Sequence, residues 1–291
     1  MRIAITGAAG QLGQAMVARL RSSREVVSLT RADVDLAQHD QVMRVMERVQ
    51  PAAIINCAGY NAVDRAEDEA REALASNAFA VRLLARAAQE FDATLVQYSS
   101  DFVFDGEADR PYVEEDEPAP KSVYAQSKLL GEWFAADVAR HYVLRVESLF
   151  GGPNPRSSID TVVTTIATGR EARVFTDRVI TPSYVEDIAA ATEALLETKP
   201  DAGIYHCVNS GYTTFYDLAR EVARLLGRPA SLVPITMANV SLRAARPRYC
   251  ALSNEKLARA GFRMPSWQDA LVRYLEKRKL LAGAQGPGPR G

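Results

Sequence analysis

Tyr124 and Lys128 stand one helical turn apart in Tyr124-Ala125-Gln126-Ser127-Lys128. On a helix a phenol and an ammonium at this spacing share one face. A free tyrosine loses its proton at about pH 10. A nearby cation favours the phenolate, so Tyr124 could exchange a proton with a carbonyl or hydroxyl near neutrality. Most such pairs are solvated helix surface, so chemistry needs further partners. Ser100 supplies one, because it closes the apolar run Thr94-Leu95-Val96-Gln97-Tyr98 and is followed by Asp101-Phe102-Val103-Phe104-Asp105-Gly106. A hydroxyl at a strand end could hold the reacting oxygen.

A second constellation opens the chain. Gly7-Ala8-Ala9-Gly10-Gln11-Leu12-Gly13 follows the apolar run Ile3-Ala4-Ile5 and precedes an amphipathic stretch. A Gly-x-x-Gly-x-x-Gly turn between strand and helix admits a pyrophosphate to the backbone, and one position needs positive φ. The free N–H groups of the helix start, at Gln11, Leu12 and Gly13, then favour the phosphates. The next run ends Ser28-Leu29-Thr30-Arg31. A carboxylate there would accept from a ribose 2′-hydroxyl, whereas the Arg31 guanidinium suits a 2′-phosphate. The expected cofactor is therefore NADPH, with NADH as the alternative. Asp35 and Leu36 are placed to meet the adenine edge. The third run ends Asn56-Cys57-Ala58-Gly59-Tyr60, mostly small residues over which a dinucleotide could lie.

The elements between these residues alternate. Short apolar runs at 3–5, 26–29, 53–56, 94–98 and 142–146 have the length of buried strands. Helical patterns fill 11–21, 40–49, 66–91 and 124–140. This alternation predicts an α/β fold, a Rossmann-like doubly wound parallel sheet, with a smaller C-terminal substrate lobe. The dinucleotide-binding domain is expected over 1–149, with its sheet completed from 183–208. The lobe is expected over 150–282, and the Gly/Pro-rich segment 283–291 as a disordered tail.

The chain has 291 residues, with 35 basic and 36 acidic side chains. That balance gives no field to collect nucleic acid or an anionic membrane without specificity. No stretch reaches the roughly 18 apolar residues of a membrane span. The isolated Cys57, Cys207 and Cys250 argue against disulfides or a zinc site, and no metal is expected. With no signal peptide read at the start, the expected location is the cytoplasm. Oligomeric state is open, a homodimer included.

Glycine fingerprint, strand-end serine and helical Tyr-x-x-x-Lys, in this order, resemble the extended short-chain dehydrogenase/reductases. Ser99-Ser100-Asp101-Phe102-Val103-Phe104-Asp105-Gly106 is similar to the Ser-Thr-Asp-Tyr-Val-Phe-x-Gly segment of the dTDP-4-dehydrorhamnose reductases. The segment from Asn56 to Glu67, Asn77, Thr181-Pro182, Arg246-Pro247 and Leu252–Leu257 fit that subfamily too. Three positions depart from it. Ser100 stands for the usual threonine and Phe102 for a tyrosine. Arg145-Val146-Glu147-Ser148-Leu149-Phe150 stands where Arg-Thr-Ser-Trp-Val-Tyr is usual.

The resemblance implies NADPH-dependent reduction of a nucleoside-diphosphate-linked 4-keto-6-deoxy sugar, giving dTDP-L-rhamnose or a related deoxysugar. Ser100 would orient the oxygen, Tyr124 would act as general acid, and Lys128 would lower its pKa and bind the ribose. It adds Asn77, Tyr124 and Lys128 to the cofactor site already read at Gly7, Gly10, Gly13, Cys57, Ala58, Gly59 and Tyr60. Val63, Asp101, Phe102, Phe104 and Thr181 would line the sugar site beside Ser100 and Tyr124, and Arg246 would fork onto the diphosphate. A nucleotide-sugar epimerase of the same fold and a non-catalytic cofactor-binding regulatory subunit remain as alternatives. A 4,6-dehydratase is disfavoured, because Phe102 stands where its acidic residue is expected.

Overall fold

A computed structural model describes residues 1–281; the expected tail at 283–291 lies outside the described residues. The first half alternates strand and helix: β1 (Arg2–Thr6), α1 (Gln11–Leu20), β2 (Glu25–Leu29), α2 (His39–Val49) and β3 (Ala53–Asn56). α3 (Ala70–Leu74) and α4 (Ala80–Glu90) follow, then β4 (Thr94–Ser100), α5 (Val123–Ala136) and β5 (His141–Val146). The second half contributes β6 (Leu149–Phe150), α6 (Ser158–Ala167), β7 (Ala172–Phe175), β8 (Val179–Ile180) and β9 (Ser183–Tyr184). It continues with α7 (Val185–Thr198), β10 (Gly203–His206), β11 (Thr213–Thr214), α8 (Phe215–Leu226) and β12 (Leu232–Ile235). α9 (Glu255–Arg259) and α10 (Trp267–Lys277) close the described chain.

Six parallel strands form the central sheet in the order β10-β5-β4-β3-β1-β2. β1 sits between β2 and β3, so the connections leave it in opposite directions, and ligands of open α/β sheets bind at that reversal. Ile3, Ile5, Ile55, Val96 and Leu144 bury one face against α1 and α7. Ala4, Ile54, Leu95 and Val143 bury the other against α2, α4 and α5. Because both faces are covered, these strands read as continuous apolar runs without alternation.

A separate core, with Phe150, Ile159, Val174, Phe215, Leu218 and Leu271, holds the second-half elements together. β10 leaves that region and joins the sheet beside β5, with Ile204 opposite Val143. β9 pairs instead with β6, Tyr184 opposite Phe150.

The sequence predicts one uninterrupted helix over 66–91. The structure breaks it, with a short 3₁₀ turn at Arg65–Glu67 and a π turn at Ala75–Phe79 between α3 and α4. The reason is local contact with α5. A Cβ at Gly131 would stand 2.2 Å from the Asn77 carbonyl, so the widened turn rests on a glycine of the neighbouring helix. Single π turns of this kind often mark functional sites.

Candidate active site

The carboxyl ends of β1, β3, β4 and β5 open into one cleft of about 730 Å³. The glycine turn forms its floor. Gly7 adopts φ +64° and lies so close to β3 that a Cβ would meet the Ala58 nitrogen at 2.5 Å. Gly13 packs on Gly7, whose carbonyl would stand 2.2 Å from an added Cβ. These two glycines therefore serve close chain packing and sit behind the cleft wall. Gly10, Gln11 and Leu12 face the cleft. Gly10 caps α1 without any side-chain hydrogen bond to the first turn, so no side-chain cap competes for those N–H groups. This uncapped helix start, with the small wall residues Cys57, Ala58 and Gly59 opposite, fits a dinucleotide pyrophosphate.

Asn77 and Tyr60 lie outside the cleft wall and act as supports. The Asn77 side chain, fully buried in the π turn, accepts from the Tyr60 amide at 2.8 Å and donates to its carbonyl at 3.0 Å. It also donates to Ser127 Oγ at 3.0 Å. One amide thus ties the Gly59-Tyr60 loop to α5. Tyr60 itself donates its phenol proton to Glu69.

Arg31, Asp35 and Leu36 lie beyond the end of β2 and do not form the cleft wall. Arg31 is exposed. The Asp33 carboxylate accepts from the Thr30 amide and hydroxyl, which fixes the turn on which Arg31 sits. Asp35 accepts from the Ala37 amide, and Leu36 packs against the core beneath α2.

Ser100, Tyr124 and Lys128 do converge on the cleft. Ser122 caps α5, its hydroxyl accepting from the Ala125 amide, and Tyr124 and Lys128 then sit one turn apart on the buried face. Lys128 Nζ donates to the Tyr98 carbonyl at 2.5 Å, which anchors the ammonium to β4. Burial depresses its pKa to about 8.

The sequence predicts a depressed Tyr124 phenol; the structure differs. Burial, reinforced by the Asp101 carboxylate, pushes that phenol up, and the neighbouring Ser100 hydroxyl opposes the rise only in part. The cause is the apolar wall around the ring. Phe102 packs edge-on against Tyr124, with centroids 5.5 Å apart, and Tyr60, Val63 and Ala66 complete the cluster. The group presented to the cleft is a neutral phenol.

Of the expected sugar-site residues, Val63, Asp101, Phe102 and Arg246 line the cleft, and two others do not. Phe104 is a core residue. After Ser100 the chain enters a 3₁₀ turn over Asp101–Val103, which rotates the following residue inward. Its ring stacks on Tyr112 at 4.1 Å and lies under the Arg145 guanidinium at 4.9 Å. Thr181 is also buried behind the wall. Its amide donates to Glu147, and its hydroxyl accepts from the Leu252 amide. Arg246 is ion-paired with Asp64 at 2.7 Å, while its Nη1 is buried without a partner among the described residues.

Among the cleft residues that the sequence does not single out, Glu147 and Arg178 carry the strongest charge chemistry beside Asp101. Glu147 directly follows strand β5, and burial pushes its carboxyl well above the usual range, helped by the nearby Asp101. Arg178 spans Phe102 and Phe215, 5.6 and 5.7 Å from the two ring centroids. A carboxylate directly after the largely apolar strand β5, beside the end where Ser100 closes β4, was the available signal for Glu147.

A cleft at the strand-order reversal, floored by a glycine turn and walled by a Tyr/Lys helix, is the architecture of the extended short-chain dehydrogenase/reductases. Residues 1–280 match the family described as "RmlD substrate binding domain". A dTDP-4-dehydrorhamnose reductase from Streptomyces griseus is 34% identical over 98% of this chain and 97% of its own. Among solved structures, a dTDP-4-dehydrorhamnose reductase from Clostridium acetobutylicum superposes with a TM-score of 0.91 at 32% identity. It covers 96% of this chain and 100% of that one. A second, from Bacillus anthracis in complex with NADP, gives 0.90 at 30% identity, covering 95% and 99%. The chain belongs to the dTDP-4-dehydrorhamnose reductase family.

Proposed function

We propose that this chain reduces the 4-keto group of a nucleoside-diphosphate-linked 6-deoxy sugar, with NADPH as reductant. The product would be dTDP-L-rhamnose or a related deoxysugar. One observation carries the reading: the strand-end hydroxyl, the phenol and the ammonium open into the same cleft as the uncapped start of α1. The Bacillus anthracis relative, solved with NADP, supports the choice of cofactor.

Gly10, Gln11 and Leu12 would hold the pyrophosphate, and Lys128 would reach the nicotinamide ribose. Bound there, NADPH would supply a hydride to the carbonyl carbon. Ser100 holds the substrate oxygen by hydrogen bond. Tyr124 gives that oxygen a proton as negative charge develops on it, work for which a phenol kept neutral by burial is suited. Lys128, with its pKa near 8, is mostly charged at neutrality and stabilises the phenolate left behind. Arg246, steered by Asp64 and keeping an unpartnered Nη1, offers a donor to the diphosphate. The free, separated cysteines support a reducing compartment, the cytoplasm, and among the described residues no helix is long and apolar enough to cross a membrane.

The test is NADPH consumption with a panel of nucleotide-linked 4-keto sugars, run beside Tyr124→Phe. Turnover by the unaltered chain, lowered at least 100-fold in the variant, is expected. Equal background consumption by both proteins removes the reading. Tightly retained NAD with sugar interconversion and no net NADPH loss replaces it with epimerisation.

A further inference from the structure

Neighbouring strands deliver two carboxylates to one buried spot. Ser100 of β4 lies opposite Val146 of β5, so the residues that follow, Asp101 and Glu147, leave the sheet side by side. One oxygen of each, together with Cys250 Sγ, lies within a common span of 4.8 Å. Asp101 is 4% exposed and Glu147 2%.

Their hydrogen bonds are few. Asp101 Oδ1 accepts from Ser100 Oγ at 2.7 Å, while Oδ2 is buried with no partner among the described residues. Glu147 accepts from the Ser148 hydroxyl and the Thr181 amide. Ser148 reaches it from a backbone at φ +40°, an uncommon conformation for a residue with a Cβ. The titratable and charged groups facing the pair are Arg178, Cys250, Tyr124 across Ser100, and Arg246 behind Arg178. The Cys250 thiol is held neutral by burial.

Arg178 is the cation whose charge acts on both carboxyls. Two carboxylates against one guanidinium leave one excess negative charge at the nearly buried wall of the cleft, and a single bound proton cancels it. Burial raises both carboxyl pKa values, and the Asp101 carboxylate adds to the rise at Glu147.

We propose that Asp101 and Glu147 share one proton, and that Ser100 passes it to Tyr124 after each turnover. The step rests on the reductase reading and balances without electron transfer. The Tyr124 phenolate takes the Ser100 hydroxyl proton as Ser100 Oγ takes the carboxyl proton from Asp101 Oδ1. One carboxyl O–H bond breaks and one phenol O–H bond forms. The pair carries one more negative charge until water returns a proton. Glu147 acts through its partner, as the group that keeps a proton on Asp101 at neutral pH.

Two measurements test this. In cofactor-free protein, pH-difference infrared spectra should show a protonated-carboxyl C=O band that survives at neutral pH, disappears under alkali and is missing from Glu147→Gln. In turnover, Glu147→Gln should lower kcat about tenfold with KM nearly unchanged. The alkaline fall in kcat should move to lower pH, and imidazolium buffer should restore the rate. Should Gln disturb folding, Glu147→Ser, which admits water in place of the carboxyl, is expected to behave alike. A neutral-pH band unchanged by the substitution, or an unaltered kcat profile without buffer rescue, overturns the proposal. The infrared result needs no substrate, and the Tyr124→Phe comparison judges the reductase reading separately. A shared proton in a chain that reduces none of the sugars overturns the coupling to Tyr124.

Discussion

Glu132 grips Arg145 through two hydrogen bonds, 3.0 Å from Nε and 2.8 Å from Nη2, with both side chains shut off from solvent. Glu132 lies on α5 one turn beyond Lys128, and Arg145 lies on β5, so the pair pins the Tyr/Lys helix to the sheet. A buried pair adds little over apolar packing of the same shape, but removing one partner strands the other charge. Arg145 Nη1 already has no partner among the described residues. Glu132→Ala is therefore expected to lower the unfolding free energy by about 3–5 kcal/mol, measured by urea denaturation. A loss below about 1 kcal/mol, the size typical of a surface pair, would show that Arg145 finds water or another acceptor.

The glycine turn separates packing from ligand access. Gly13→Ala would drive a methyl against the Gly7 carbonyl at 2.2 Å and the Ala8 Cα at 2.9 Å, both rigid backbone. The turn must deform, and overpacking of this kind costs about 1–3 kcal/mol. Gly10→Ala would meet only the Gly7 carbonyl, at 3.2 Å, while its methyl enters the cleft. Thermal melts should thus distinguish them, with Gly13→Ala destabilised and Gly10→Ala nearly native. Fluorescence titration should show both binding NADPH at least about tenfold more weakly, a loss of roughly 1.4 kcal/mol. Native NADPH affinity in Gly10→Ala would place the pyrophosphate elsewhere.

These contrasts bear on what a single sequence reveals. The strands of the sheet were readable because burial on both faces gives them short, mostly apolar runs, as at Ala53–Asn56 with its three apolar residues before the terminal asparagine. The glycine turn and the Tyr-x-x-x-Lys helix were readable because their chemistry lies within a few residues. Phe102 and Phe104 were not separable by pattern: the 3₁₀ turn after Ser100 changes the period, sending one ring to the cleft and the other into the core. The break in the long helix was hidden too, since it depends on Gly131 of another element. The Asp101, Glu147 and Arg178 cluster joins three distant segments, and no local spacing encodes that meeting.

Arg31 bears on cofactor choice. It stands exposed after β2, on a turn fixed by the Asp33 carboxylate. A guanidinium there can fork onto a ribose 2′-phosphate and has nothing equivalent to grip on NADH. Arg31→Ala should cut kcat/KM for NADPH by about tenfold, the weight of one charge-assisted hydrogen bond, and leave the NADH value unaltered. Steady-state rates with both cofactors read this out. Equal losses with the two would assign Arg31 no part in reading the phosphate, and a preference for NADH in the unaltered chain would end the argument.

Lys128 should make the cofactor-free protein less stable than it need be. Its ammonium is 6% exposed, hydrogen-bonded to the Tyr98 carbonyl, and burial lowers its pKa from the ordinary 10.5 to about 8. A lysine depressed in the folded state binds fewer protons there than in the unfolded chain. Stability then rises with pH between about 8 and the ordinary lysine value, and the burden is fully present below 8. Lys128→Met removes the charge and keeps most of the apolar stem, at the expense of the bond to Tyr98. At pH 7 the variant is expected to be more stable by about 1–3 kcal/mol, and turnover is expected to be lost. Urea melts at pH 7 and pH 10 should show that advantage shrinking as the wild-type ammonium deprotonates. A Lys128→Met protein that is less stable at pH 7, or equally favoured at both pH values, would mean the buried ammonium is well solvated by its surroundings.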